Sequence, residues 1–507
     1  MRDQTNVTRR ELLSRTAAGS IALATLGTVQ PNEADAQASG RTALKPNILF
    51  ILADDLGYAD LSCYGRRDLS TPNIDRIAAD GMQFMQAYAN SAVCTASRVA
   101  LITGRYQYRL SVGLEEPLTG RETRKVGLPP EHAALPSILK KAGYQSTLIG
   151  KWHLGKPPDF GPLQSGYDHF YGFRGGALDY FTHKYGPPAS ETEDLWDDDT
   201  KIRQPGYLTD LLGSRAVNVV DAYAKSGQPF LVSLHFNAPH WPWEAPGDEA
   251  ESQRLKSLFH FDGGTQRTYQ RMIQQMDLQI GRVLQALDAN GVAENTIVIF
   301  TSDNGGERYA DTWPFTGRKT ELLEGGLRIP AVIRWPGDIP QGSTSEQVMI
   351  GMDWLPTLIA AAGTTLDPAY PSDGMDLLPC LTQGAAPVPR KLFWRYKYAD
   401  QQAARDGDWK YLKILDNTFL FDVVQDPMER ANLKDRHRDI YDRLVAQWNA
   451  WNATGCRSTR KALLMASLGL SLPTISESRR MRELALRRLA RRLSRPADAS
   501  PRQHTSR

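Results

Sequence analysis

Asp54 and Asp55 stand at the end of one apolar run of the chain, and Asp303 and Asn304 at the end of another. Four hard, oxygen-bearing side chains in two such clusters can hold a divalent cation such as calcium or magnesium. Taken singly, each Asp serves equally well as a turn or helix-cap residue; the pairing of the clusters favours a metal. Cys94-Thr95-Ala96-Ser97-Arg98 precedes the apolar stretch Val99-Ala100-Leu101-Ile102. That places Cys94 near a helix N-terminus, where free N–H groups and the helix dipole favour an anion. Arg98, one turn later, adds a fixed positive charge on the same side. The combination describes a reactive cysteine beside a cation, against the commoner inert buried thiol. Lys151 and His153, two apart in Gly150-Lys151-Trp152-His153-Leu154-Gly155, face one way if the segment is extended. His240 follows a third apolar run, and Lys319 lies five residues before Glu324-Gly325-Gly326. Any one of these His or Lys residues is as easily structural or solvated. Together with Arg98, the four suit a doubly charged tetrahedral anion.

The elements that must carry these residues are readable in outline. Asn47-Ile48-Leu49-Phe50-Ile51-Leu52-Ala53 is continuously apolar, as a strand buried on both faces reads, and Asp54-Asp55-Leu56-Gly57 ends it. Residues 229–236 run likewise into Asn237-Ala238-Pro239-His240, and residues 296–301 into Ser302-Asp303-Asn304-Gly305-Gly306. Helical patterns at 73–81, 135–143, 211–224 and 268–289 separate them. Strand–helix alternation predicts an α/β fold with a large, mostly parallel sheet flanked by helices. Ligands in such folds bind beyond the carboxyl ends of the strands, where all three runs deliver polar residues. After a helix at 352–362, short aromatic strands at 392–396, 409–413 and 419–422 and a helix at 436–451 predict a smaller C-terminal antiparallel-sheet subdomain. No internal repeat is present.

Composition bounds the function further. The chain has 507 residues, 41% hydrophobic and 23% charged, which excludes collagen-like, disordered and polytopic membrane classes. The net charge of +3 conceals a split: residues 457–507 hold 13 basic and 3 acidic residues, or +10, leaving −7 for the rest. The body is therefore mildly acidic, and nucleic-acid binding has no support. Residues 456–507 read as a basic Arg-rich tail, disordered or partly helical, with eight arginines between positions 478 and 495. At the other end, Arg9-Arg10, a modest apolar run over 17–29 and Ala-x-Ala sites at 34–38 read as a twin-arginine signal peptide over 1–38. That run is too short to span a bilayer, so no stable membrane span is expected. Export would use the Tat machinery and leave the protein periplasmic or secreted, carried across already folded. Four cysteines make no disulfide scaffold and show no zinc spacing, although a Cys63–Cys380 bridge would suit an oxidising compartment.

The stretches DDLGYADLSCYG, CTASR with LITGRY, GKWHLG, NAPHWPWEAP, SDNGG and K-x4-EGG-x-R-x-P occur in order between Asn47 and about Asn432. In this the chain resembles the type I sulfatases of the arylsulfatase A and N-acetylgalactosamine-6-sulfatase group, in the alkaline-phosphatase-like superfamily. The resemblance implies that Cys94 is oxidised to Cα-formylglycine by a maturation enzyme and that its hydrate is the nucleophile. It implies that Arg98 and Lys151 hold the hydrate and that His153 handles its protons. It implies one calcium ion per chain on Asp54, Asp55, Asp303, Asn304 and the modified Cys94. His240 and Lys319 would bind sulfate oxygens and help protonate the leaving oxygen. Position 96 is Ala where Pro is commoner in the family, which leaves the maturation system open. The implied activity is hydrolysis of aryl sulfates or sulfated carbohydrates.

Two other readings stand beside it: a phosphonate monoester or phosphodiester hydrolase of the same superfamily, and an unmodified, non-catalytic relative that binds sulfated glycans. For specificity, Asp179, Tyr180 and His183 are candidates to line a sugar or aryl pocket, and Trp241 and Trp243 to stack on a ring or pack inside. The expected organisation is a signal over 1–38, a catalytic domain over 39–370, the small-sheet subdomain over 371–455 and the tail over 456–507.

Overall fold

A computed structural model describes residues 44–119, 125–185 and 192–455; the signal and the basic tail lie outside the described residues. Ten strands form the main sheet: β1 (Asn47–Ala53), β2 (Met82–Phe84), β3 (Gln145–Lys151), β4 (His169–Phe173), β5 (Trp196–Asp197), β6 (Thr200–Lys201), β7 (Phe230–His235), β8 (Thr296–Ser302), β9 (Ala331–Arg334) and β10 (Ser343–Ser345). Their order is β10-β2-β9-β8-β1-β7-β3-β4-β5-β6. The five central strands, β8 to β4, run parallel, and antiparallel pairs join them to both flanks. This is the expected large, mostly parallel sheet.

The continuous apolar runs arise because both faces are covered. Along β1, Leu49, Ile51 and Ala53 enter one buried cluster, and Ile48, Phe50 and Leu52 another. Helices α1 (Pro72–Ala79), α4 (Leu208–Ser226) and α5 (Gln266–Ala289) cover the first face, and α3 (Leu135–Lys141) and α6 (Trp354–Ala361) the second. Helix α2 (Cys94–Thr103) is buried along its whole length.

Strand register levels the functional ends. Ala53 pairs with Ser302, Leu52 with His235, and His235 with Gly150. Residues 54, 303, 237 and 151 therefore emerge on one edge of the sheet.

The C-terminal four-stranded antiparallel meander comprises β11 (Lys391–Tyr396), β12 (Gln401–Asp406), β13 (Trp409–Ile414) and β14 (Asn417–Asp422). Helix α7 (Arg438–Asn452) buries Leu444 and Trp448 against Ala404, Tyr411 and Leu420. A further apolar cluster joins this sheet to the catalytic region through Val93, Ala96, Leu322, Trp394 and Leu412.

Two local expectations need correction. Gly150 to Gly155 is not one extended segment: β3 ends at Lys151, and His153 takes a left-handed φ of 60°. Cys63 and Cys380 are free thiols. Cys63 sits by Asp75, whose carboxylate accepts from its N–H, and Cys380 by the Gln347 amide.

Candidate active site

Two main-chain hydrogen bonds lock the strand ends together: Asp54 N–H donates to Ala238 O (3.1 Å) and Asp303 N–H to Ala53 O (3.2 Å). Asp55 follows with φ 65°, and its N–H donates to Asp303 Oδ1. Lys319 is brought in by interlocking loops. Gly305 N–H donates to Gly326 O and Lys319 N–H to Gly306 O. A Cβ on Gly305 would lie 2.2 Å from Gly325 O, so this approach requires glycine.

The result is an alternation of opposite charges, nearly free of solvent. Lys151 Nζ donates to Asp54 Oδ2 and Lys319 Nζ to Asp55 Oδ2, each at 2.6 Å. Arg98 Nε donates to Asp303 Oδ2 at 2.9 Å and its Nη1 to Lys151 O at 3.1 Å. Its Nη2, 3.8 Å from Asp54 Oδ1, makes no hydrogen bond. Asn304 Nδ2 donates to Asp55 Oδ1 at 2.7 Å. Three cations thus face three carboxylates.

Burial and partners set the proton states. Burial raises Asp54 and Asp303, the latter to about 6, against the pull of Lys151 and Arg98. Burial would raise Asp55 too, but Lys319 and His240 outweigh it and hold it at about 2. Burial opposes the charge of Lys319, yet Asp55 keeps its ammonium above the usual lysine range. His153 is lowered to about 3 by burial and by Lys151, and His240 falls well below its ordinary value through burial and Lys319.

Cys94 opens helix α2, with extended Val93 as its N-cap. Its Sγ lies 3.3 Å from His153 Nδ1. His153 Nε2 is 2.8 Å from Leu118 O, a group that only accepts, so Nε2 carries the proton and Nδ1 presents a lone pair to position 94. Thr95 Oγ1 ties the parts together, accepting from Leu118 N–H and donating to His153 O. His240 is the mirror case. Its Nδ1–H donates to Trp241 O at 2.7 Å, leaving Nε2 facing Asp55 Oδ2 at 3.5 Å.

The donor set fits a hard divalent cation. Asp54 Oδ1 and Asn304 Oδ1 are fully buried without a hydrogen-bond partner, which is costly unless something else satisfies them. Ligand atoms of Asp54, Asp55 and His240 lie within 4.8 Å of one another. Asp303 borders them, its Oδ1 and Oδ2 engaged by Asp55 N–H and Arg98. A dication among three matched charge pairs would leave a net +2 to receive an anionic ester.

All ten expected catalytic and metal residues converge on this one site. The loop candidates are differently placed. Asp179 accepts from Phe181 N–H, Thr182 N–H and Ser252 Oγ–H. Tyr180 is fully buried, stacks on Tyr207 and donates its hydroxyl to the carbonyls of Asn237 and His240, both at 3.0 Å. His183 is buried beside Asp179. In this structure these contacts are internal to the protein, and Tyr180 buttresses the His240 turn. Sequence reasoning passed over Thr95, Leu118 and Gly176. A Cβ on Gly176 would lie 2.5 Å from His153 Cε1; the Gly175-Gly176 pair is the signal that could have marked it.

The chain is similar to known proteins over most of its length. The sulfatase family model matches residues 46–364, and the model described as N-sulphoglucosamine sulphohydrolase, C-terminal, matches residues 317–452. N-acetylgalactosamine-6-sulfatase of Homo sapiens is 34% identical over 381 residues, covering 72% of this chain and 71% of that protein. Arylsulfatase J of Mus musculus is 30% identical over 470 residues, covering 81% and 76%. Among solved structures, Ps i-CgsB in complex with k-i-k-neocarrahexaose is similar with a TM-score of 0.74 and 29% identity, over 86% of this chain and 99% of that one. These matches support sulfuric ester hydrolysis. With its cationic cradle at the strand ends and these relatives, the chain belongs to the sulfatase family and is a sulfuric ester hydrolase of the arylsulfatase type.

Proposed function

We propose that the chain cleaves sulfate from sulfated carbohydrates through a formylglycine made from Cys94, with calcium bound by Asp54, Asp55, Asp303 and Asn304. The observation that carries this is Cys94 at a buried helix N-terminus, 3.3 Å from the lone-pair nitrogen of His153 and within the same cradle as two unsatisfied buried oxygens. The carbohydrate class is supported by the relatives: one is named for N-acetylgalactosamine 6-sulfate, and one structure holds a neocarrahexaose.

An aldehyde hydrate at position 94 would supply one hydroxyl to attack sulfur as the sulfur–alcohol bond breaks, and a second whose deprotonation would expel sulfate and leave the aldehyde, to be rehydrated by one water. Calcium supplies Lewis-acid neutralisation of sulfate oxygens. The protein's own residues do the rest. His153 is kept neutral by burial and by Lys151, and the Leu118 carbonyl holds its proton on Nε2, so Nδ1 accepts the hydroxyl proton. Arg98 and Lys151, held in the same cradle by Asp303 and Asp54, offset the negative charge that develops at residue 94. Lys319 stays an ammonium and donates to sulfate oxygen. A bound anion raises the proton affinity of His240, so its Nε2 gains a proton to give to the leaving oxygen. Water is held off by burial: Lys151 has no exposed surface and His153 only 2%.

Residues 1–38 are proposed as the Tat signal, which gives a periplasmic or secreted enzyme matured before export; Arg9-Arg10 and the Ala-x-Ala sites support this. Among the described residues no helix is long and apolar enough to cross a membrane. Peptide mass spectrometry across Cys94 tests the nucleophile: conversion of thiol to aldehyde removes about 18 Da. Active protein carrying only the thiol refutes it.

A further inference from the structure

A row of aromatic rings leads out of the site and has no part in the chemistry above. Trp241 lies 4.1 Å, centroid to centroid, from His240, and Lys319 Nζ is 5.9 Å from the centre of its ring. Phe259 follows at 4.5 Å from Trp241, and Phe261 stacks on Phe259 at 5.6 Å and 20°. The row passes from buried to open: Trp241 and Phe259 are half-buried and Phe261 is 57% exposed. An exposed phenylalanine loses water-ordering surface only when something covers it.

The loop bearing the two phenylalanines is built, not loose. His260 between the two phenylalanines is fully buried; Trp243 N–H donates to its Nδ1 at 3.1 Å, and its Nε2–H to Glu251 at 2.6 Å. Arg308 donates to the carbonyls of His260 and Phe261 while its guanidinium lies 4.4 Å over Trp243. The Tyr309 hydroxyl donates to the Gly263 and Gly264 carbonyls. The rings are therefore held in place before any ligand arrives, which lowers the entropy cost of binding.

Resting on the sulfatase reading above, we propose that Trp241, Phe259 and Phe261 form a leaving-group subsite that stacks the rings of a sulfated oligosaccharide. Continuity with His240 and Lys319 places the first ring beside the leaving oxygen. The row is longer than one ring, so it favours a chain of sugars over a single one. Carbohydrate rings offer C–H faces to aromatic planes and keep their hydroxyls toward water, which suits a ledge apolar on one side and open on the other. The contribution is binding common to ground and transition states, so it appears in KM and not in kcat.

The test compares Phe261→Ala and Phe259→Ala with wild type on four esters: 4-nitrophenyl sulfate, N-acetylgalactosamine 6-sulfate, a chondroitin 6-sulfate tetrasaccharide and a sulfated neocarrahexaose. The expected result is a rise in KM of about three- to tenfold on whichever oligosaccharide is turned over. Single-ring esters should stay within about twofold, and Phe261→Trp should restore the oligosaccharide KM. Equal losses on all esters, or none on the oligosaccharides, overturn the proposal. The same substitutions in a Cys94→Ala background, read as the Kd of each oligosaccharide, do not depend on the nucleophile. No turnover of any ester by wild type therefore counts against the chemistry, whereas unchanged Kd values with Phe261→Ala count against the ledge alone.

Discussion

Gly176→Ala isolates the positioning of the His153 base without replacing a reacting group. Gly176 does not occupy the left-handed region, so alanine is tolerated by the backbone, and the effect is purely steric. The new methyl would lie 2.5 Å from Cε1 and 2.6 Å from Nε2 of His153, where ordinary contact begins near 3.4 Å; the ring must retreat by about 0.9 Å. It has no free direction. Leu118 O holds Nε2 at 2.8 Å and Cys94 lies 3.3 Å from Nδ1. Overpacking of this kind costs about 1–3 kcal/mol of stability, and a displacement of about 1 Å at a catalytic group costs about 100-fold in rate. We therefore expect kcat on an active sulfate ester to fall about 100-fold with KM little changed. Gly175→Ala is the control, because its methyl would meet the Asp194 carboxylate at 2.9 Å and not His153; its loss in kcat should stay below about tenfold. Steady-state kinetics with circular dichroism and thermal melts decide it. A folded Gly176→Ala enzyme with kcat within about twofold of wild type, or equal losses from the two alanines, would refute the geometric argument for His153.

Glu244 gives a pH-dependent prediction. Burial, then the nearby Asp179, raises it to about 9, so it is protonated in the folded protein at neutral pH. The unfolded chain releases that proton near the ordinary carboxylate value, so rising pH above that value costs stability until the folded group also ionises. Glu244→Gln keeps the bond from Tyr180 N–H and removes this loss; its Tm advantage should grow from pH 5 to pH 8.5, and a pH-independent difference would contradict the assignment. Chelation should abolish turnover, and added calcium should restore it and raise the Tm by binding only the folded state; a Tm indifferent to calcium argues against the oxygen site. Lys410 joins Glu324 at 2.8 Å and Glu429 at 2.9 Å with all three side chains fully buried. Lys410→Met leaves the buried Glu429 carboxylate without a cation, while Glu324 keeps Arg328 at 2.7 Å, and should cost about 3–5 kcal/mol in denaturant unfolding; a loss below about 1 kcal/mol would show that the cluster relaxes.

Legibility along the chain followed burial. Strands β1 and β8 were readable because both faces are covered, which makes every residue apolar. Strand β3 was not, because Gln145, Ser146 and Thr147 open it with polar side chains that find partners in Ser226, Asp168 and Tyr223. Strand β12, with Gln401, Gln402 and the buried Arg405, was missed for the same reason: Arg405 is satisfied by Tyr88 and Gln86, more than 300 residues away. The His153 backbone was misread because a left-handed φ at a non-glycine residue has no composition signal.

The sequence by itself determined which chemistry is available: hard oxygens at two strand ends, a cysteine opening a helix, and the cations that follow. These belong to local runs whose type and order survive without coordinates. Only the tertiary structure decided which nitrogen of His153 carries a proton, that Tyr180 buttresses His240, and that an aromatic row continues from the site to the surface. Each of those depends on groups such as Leu118, Asn237 and Phe259, distant or unremarkable in the chain and brought into place by strand register and loop packing. A proton's position and a ring's exposure are set by the nearest atoms in space, and sequence order does not specify which atoms those are.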